Sequence, residues 1–149
     1  MTRPAHLQGR LVALVIVGGV LGTGTRQALG LVVPPTGDFP LAIFLINLTG
    51  AFVLGALLEA LLRSGLDEGW RRGLRLTAGT GFLGGYTTYS SLAVATGQLF
   101  GHGRVLLGVA YALGSVVLGV GAAALGIVAG RRLMRRRTVG DRTVRGGAR

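Results

Sequence analysis

Three groups of polar side chains interrupt the apolar stretches of this sequence, and all three are rich in hydrogen-bond donors. The densest occupies residues 79–91, Gly-Thr-Gly-Phe-Leu-Gly-Gly-Tyr-Thr-Thr-Tyr-Ser-Ser, with four glycines and seven hydroxyls. Asn47 stands in a second stretch, followed by Gly50, Ala51 and Gly55. In another, Tyr111, Ser115, Gly119 and Ala123 recur every four residues, which draws a small, hydroxylated face along a helix. One cation, Arg26, sits late in the first apolar stretch. Amide, hydroxyl and guanidinium groups all donate hydrogen bonds, which is what an anion stripped of its water requires. No carboxylate lies in the middle of any stretch, and this counts against proton coupling through an acidic relay. Each feature also has a plainer reading. Arg26 can snorkel to an interface, Asn47 can make one interhelical hydrogen bond, and small residues can serve close helix packing alone.

The elements that must position these groups follow from composition. Half of the 149 residues are hydrophobic and only 14% are charged, against roughly 25% in a soluble domain; mean hydropathy is +0.59. With no cysteine and only two histidines, thiolate sites, disulfide scaffolds and His-rich metal centres are excluded. Charges are sparse enough to delimit four apolar segments, residues 11–33, 40–62, 76–100 and 105–130, with Arg26 and Glu59 as the only charges inside them. Each reaches the ~20 residues needed to cross a bilayer. The expected architecture is all-α and integral to the membrane, with a four-helix domain over residues 1–130 and an Arg-rich cytoplasmic tail over 131–149. The first segment lacks a small-residue cleavage site and reads as a retained helix. Pro34-Pro35-Thr36-Gly37-Asp38 and Gly101-His102-Gly103-Arg104 are turns. The connector 64–75 carries Trp70, an interface anchor.

The third segment does not read as a plain helix. Glycine weakens a helix interior by about 1 kcal/mol relative to alanine, and the adjacent Gly84-Gly85 is the natural place for a break at mid-membrane. Irregular backbone survives at that depth only when buried in protein or lining an aqueous cavity. Its freed carbonyls then face cations, and half-helix N-termini face anions. Three other patterns do not carry the function that they first suggest. Gly79-Thr80-Gly81-Phe82-Leu83-Gly84 fits a dinucleotide fingerprint but lacks the preceding strand and the later acid. The sequon Asn47-Leu48-Thr49 lies inside a span. The arginine-rich tail, beside a membrane helix, serves to orient the chain and touch anionic lipid; no nucleic-acid partner is expected.

Gly18-Gly19-x-x-Gly22-x-x-x-Arg26, Asn47-x-x-Gly50-x-Phe52-x-x-Gly55 and Gly81-Phe82-x-Gly84-Gly85-Tyr86-Thr87-Thr88-Tyr89-Ser90 together resemble the Fluc/CrcB family of fluoride channels. The resemblance extends through all four segments, with Tyr111 and Ser115 in the fourth. It implies passive, fluoride-specific flux out of the cytoplasm through an antiparallel dimer in the plasma membrane, and no enzymatic activity. It further implies a structural, untransported Na+ held by the backbone carbonyls of Gly84 and Thr87. By the same resemblance, Asn47, Tyr89, Ser90, Ser91, Leu92, Tyr111 and Ser115 fall on the fluoride pathway, and Arg26 on its vestibule. Two pore phenylalanines of the pattern are replaced here by Tyr89 and Leu92, and an acidic position by Ala95.

Two other classes compete. A small multidrug-type exporter shares four short spans but wants a carboxylate in the first, and a non-transporting membrane scaffold would use the glycines for packing only. Charge bias bears on assembly. Fourteen arginines lie on the side of the termini and the 64–75 connector, and one, Arg104, lies opposite. Positive residues stay cytoplasmic, so both termini are expected inside. A chain so biased is expected to pair with an oppositely oriented related subunit, the antiparallel homodimer being the alternative.

Overall fold

The computed structural model describes residues 8–34 and 37–146, with side chains through residue 135. Arg3, His6, the turn residues Pro35 and Thr36, and the side chains of Arg136, Arg137, Arg142, Arg145 and Arg149 lie outside the described residues. Throughout the described residues the fold is helical, without a strand. Its elements are α1 (Gly9–Val32), α2 (Leu41–Arg63), α3 (Gly69–Leu74), a π-helical stretch (Arg75–Leu83), α4 (Gly84–Tyr86), α5 (Tyr89–Gly101) and α6 (Val105–Gly146). Among the described residues, three helices are long and apolar enough to cross a membrane: Gly9–Val32, Leu41–Arg63 and Val105–Arg135. The chain is a multi-pass membrane protein by that measure. α6 continues past Gly130 into the arginine-rich segment without interruption.

Two tight helix contacts organise the molecule: α2 lies along α6, and α1 lies along the π-helical stretch and α4. Both depend on missing side chains. A Cβ on Gly18 or Gly22 would strike the carbonyl oxygen of Thr77 or Phe82, and one on Gly81 would come within 2.7 Å of the Val15 oxygen. On the other side, a Cβ on Gly55 would meet the Ala123 carbonyl, and one on Gly126 the Phe52 carbonyl. Backbone against backbone is the association mode available where lipid supplies no hydrophobic drive between helices.

Ion pairs gather at the two ends. Glu59 near the end of α2 accepts from Arg63 at 2.6 Å and from Arg131 at 2.9 Å, joining α2 to α6. Arg75 pairs with Asp67 at 2.7 Å where the third segment begins. At the opposite end Arg104 and Asp38 pair at 2.8 Å and link the two turns there.

Candidate functional site

The third segment leaves helical geometry at Thr87 (φ −79°, ψ 154°) and Thr88 (φ −148°, ψ 120°). The expected break at Gly84-Gly85 is therefore corrected by three residues. Gly84 itself is helical (φ −64°, ψ −37°). Gly85 serves a contact instead, since a Cβ there would sit 2.5 Å from the Gly19 carbonyl oxygen on α1. Nine residues of π-helix, a rare geometry that often accompanies functional sites, precede α4.

Asn47 holds the break from α2. Its Oδ1 accepts the Thr88 N–H at 2.8 Å and its Nδ2 donates to the Thr88 carbonyl at 3.0 Å. Thr88, 7% exposed, is also the N-cap of α5: its Oγ1 accepts from the Ser91 N–H at 3.1 Å. The same hydroxyl donates to Ser91 Oγ at 3.1 Å and lies 3.1 Å from Ser90 Oγ. In a continuous helix the Thr88 and Ser91 N–H groups would close on the carbonyls of Gly84 and Thr87. Both donors are diverted to side chains. The Gly84 and Thr87 carbonyls, named by the family resemblance, are thus among those that lose their helical donors at the break.

That donor set fits a hard monovalent cation. It consists of neutral backbone oxygens at the C-terminal end of a half-helix, where partial negative charge collects. Among the described residues no group of three or more His, Cys, Asp or Glu side chains offers a competing metal site. Two neighbouring contacts brace the half-helix. Tyr86 Oη and Thr49 Oγ1 lie 2.9 Å apart, and the Tyr86 ring stacks on Phe82 with centroids 5.9 Å apart.

Tyr111 forms the second part of the site. It is the most deeply buried large side chain, 2% exposed, in a core with Ala95 and Leu99 against which Leu92, Phe39 and Phe44 pack. Phe39 meets its ring edge to face at 5.5 Å, and Phe39 meets Phe44 likewise at 5.6 Å. Among the described residues, the buried Tyr111 hydroxyl has no hydrogen-bond partner. Leaving such a donor unmet costs about 1–3 kcal/mol. Ser115 Oγ donates to the Tyr111 carbonyl at 2.6 Å, one turn along α6.

The residues singled out in the sequence thus fall into three groups. Asn47, Ser90 and Ser91 meet around Thr88, while Leu92 packs against the Tyr111 core between α5 and α6, and Ser115 bonds the Tyr111 carbonyl one turn along α6. Tyr89, 82% exposed, and Gly84, with open space over its Cα, face outward from the subunit. Arg26 is half-buried on α1 and makes no ion pair among the described residues. Sequence reasoning assigned no role to Thr88, Phe39 or Phe44. A threonine three residues ahead of Ser91 at a helix start is an N-cap signal, so Thr88 was findable; the two rings carry no local signature.

Residues 13–127 match the family model described as CrcB-like protein, Camphor Resistance (CrcB). A protein of Leifsonia xyli subsp. xyli named fluoride-specific ion channel FluC 2 is 47% identical over 136 residues, covering 91% of this chain and 94% of its own. Fluoride-specific ion channel FluC 1 of Cutibacterium acnes is 50% identical over 107 residues, 71% of this chain and 75% of its own. With the broken third segment, the Asn47 clamp and the buried tyrosine in place, the chain belongs to the CrcB family.

Proposed function

We propose that this chain is a subunit of a fluoride-specific ion channel, not an enzyme, through which fluoride leaves the cytoplasm passively. The observation that carries the reading is the Tyr111 hydroxyl, fully buried among apolar side chains and without an acceptor. A small anion of high charge density is the acceptor such a donor lacks, and hydrogen bonds to charged groups are worth about 1.5–3 kcal/mol. Ser90, Ser91 and the remaining Asn47 N–H offer further donors at the break, and Phe39, in T-shaped contact with Tyr111, adds a ring quadrupole beside it. Names borne by the relatives support the same ion. Hydrogen fluoride crosses membranes as the neutral acid and dissociates inside, so an anion leak driven by the membrane potential suffices.

The finer arrangement belongs to the same proposal. The third segment crosses as two half-helices joined at Thr87–Thr88, making four spans in all. Two subunits pair antiparallel, covering the outward-facing Tyr89 and Gly84, with Arg26 at the pore vestibule. The Gly84 and Thr87 carbonyls of both subunits hold one Na+, which supplies a fixed positive charge near the anion path. Both termini are cytoplasmic. The experiment is fluoride efflux from proteoliposomes containing the purified chain, alone and with any co-encoded homologue. Fluoride should pass and chloride should be largely excluded, and replacing sodium by a bulky organic cation should reduce both flux and dimer stability. Equal fluoride and chloride flux sinks the channel reading; full dimer stability in sodium-free buffer sinks the sodium site alone.

A further inference from the structure

A cleft of about 540 Å³ opens between the first turns of α1 and α3, away from the broken segment. Arg10 and Arg72 line its mouth beside Trp70, and Leu11, Leu14 and Leu74 line its wall. The arginines around it are committed elsewhere: Arg63 and Arg131 to Glu59, Arg75 to Asp67, and Arg71 to the Ser64 and Leu66 carbonyls. Among the described residues, Arg10 and Arg72 make no ion pair and no side-chain hydrogen bond; the charge of Arg72 reaches Asp67 only at longer range. Two guanidiniums without a partner among the described residues therefore line one cavity.

Its depth is set by its surroundings. Gly9 begins a helix apolar enough to cross the membrane. Trp70, 66% exposed, stands at the rim as an interfacial indole does. Guanidiniums at headgroup level above an apolar wall match a phosphodiester joined to acyl chains, and arginine is the side chain suited to bidentate phosphate recognition. We propose that this cleft binds the headgroup of an anionic phospholipid such as phosphatidylglycerol, with Arg10 and Arg72 on the phosphate and an acyl chain along Leu11, Leu14 and Leu74. The site is independent of the fluoride reading.

Trp70 is the only tryptophan in the chain, so its fluorescence reports lipid at this position directly. The full-length protein is reconstituted in phosphatidylcholine vesicles and titrated with phosphatidylglycerol or phosphatidylcholine carrying brominated acyl chains. Each arginine near the surface contributes roughly fivefold, so brominated phosphatidylglycerol should quench with about tenfold or greater preference. Arg10→Gln with Arg72→Gln should abolish the preference, while Arg132→Gln with Arg135→Gln should leave it. Millimolar inorganic phosphate should not relieve the quenching, because it lacks the acyl contact. Equal quenching by the two lipids in the unsubstituted protein overturns the proposal without recourse to any variant. So does a preference that survives in the Arg10/Arg72 variant, or complete displacement by inorganic phosphate.

Discussion

Tyr111 and Asn47 do opposite jobs with similar chemistry, and substitution separates them. Tyr111 holds a donor in reserve: its hydroxyl is buried and unpartnered, so it contributes nothing to the resting fold. Tyr111→Phe is expected to leave stability unchanged or raise it by up to ~1 kcal/mol, because an unmet buried polar group is removed. Fluoride flux is expected to fall by about tenfold or more, the worth of a hydrogen bond to an ion. Thermal unfolding in detergent alongside liposome efflux checks both halves, and flux at the original level would remove the hydroxyl from the pathway. Asn47 has already spent its acceptor and one donor on Thr88. Asn47→Leu loses two hydrogen bonds and strands the Thr88 N–H, so a stability loss of about 2–4 kcal/mol is expected in the same unfolding measurement. Little loss would mean that the break holds itself.

At the scale of elements, the glycines divide by what lies over them. Gly22→Ala pushes a methyl group into the Phe82 carbonyl on the facing segment, and overpacking of this kind costs about 1–3 kcal/mol. Gly84→Ala meets nothing within the subunit and occupies a helical conformation. It should spare the subunit's fold and act, if at all, on pairing and sodium binding. Unfolding and dimer dissociation measured on both variants distinguish the two; equal damage to the fold would contradict the division.

The helices themselves were legible because charges are rare: the expected segments 11–33 and 40–62 lie within two residues of α1 and α2 at either end. Irregularity in the third segment was legible from its glycines and hydroxyls. The position of the break was not, because Gly85 is reserved for α1 and Thr88 is held by a residue 41 positions earlier. Neither fact has a local spacing. The Phe39–Tyr111 contact is similarly long-range, and Leu92 packs against the same core.

At the scale of the molecule, the arginine asymmetry and the pore make separate demands. Among the described residues Arg10, Arg63, Arg71, Arg72, Arg75, Arg131, Arg132 and Arg135 lie at one end, and Arg104, already paired with Asp38, at the other. Such a bias fixes insertion, so a cysteine at His102 should label from outside intact cells and one at Glu68 should not. Equal labelling would restore the dual-topology homodimer. Passive, selective conduction is the central claim, and the reversal potential in a planar bilayer tests it most directly. With fluoride in a tenfold gradient, chloride and pH equal on both sides, and the channel reconstituted with any required partner, the current should reverse near the fluoride equilibrium potential, about 59 mV from zero for a monovalent ion. A reversal at zero, or one that shifts when only the chloride or proton gradient is changed, would contradict it.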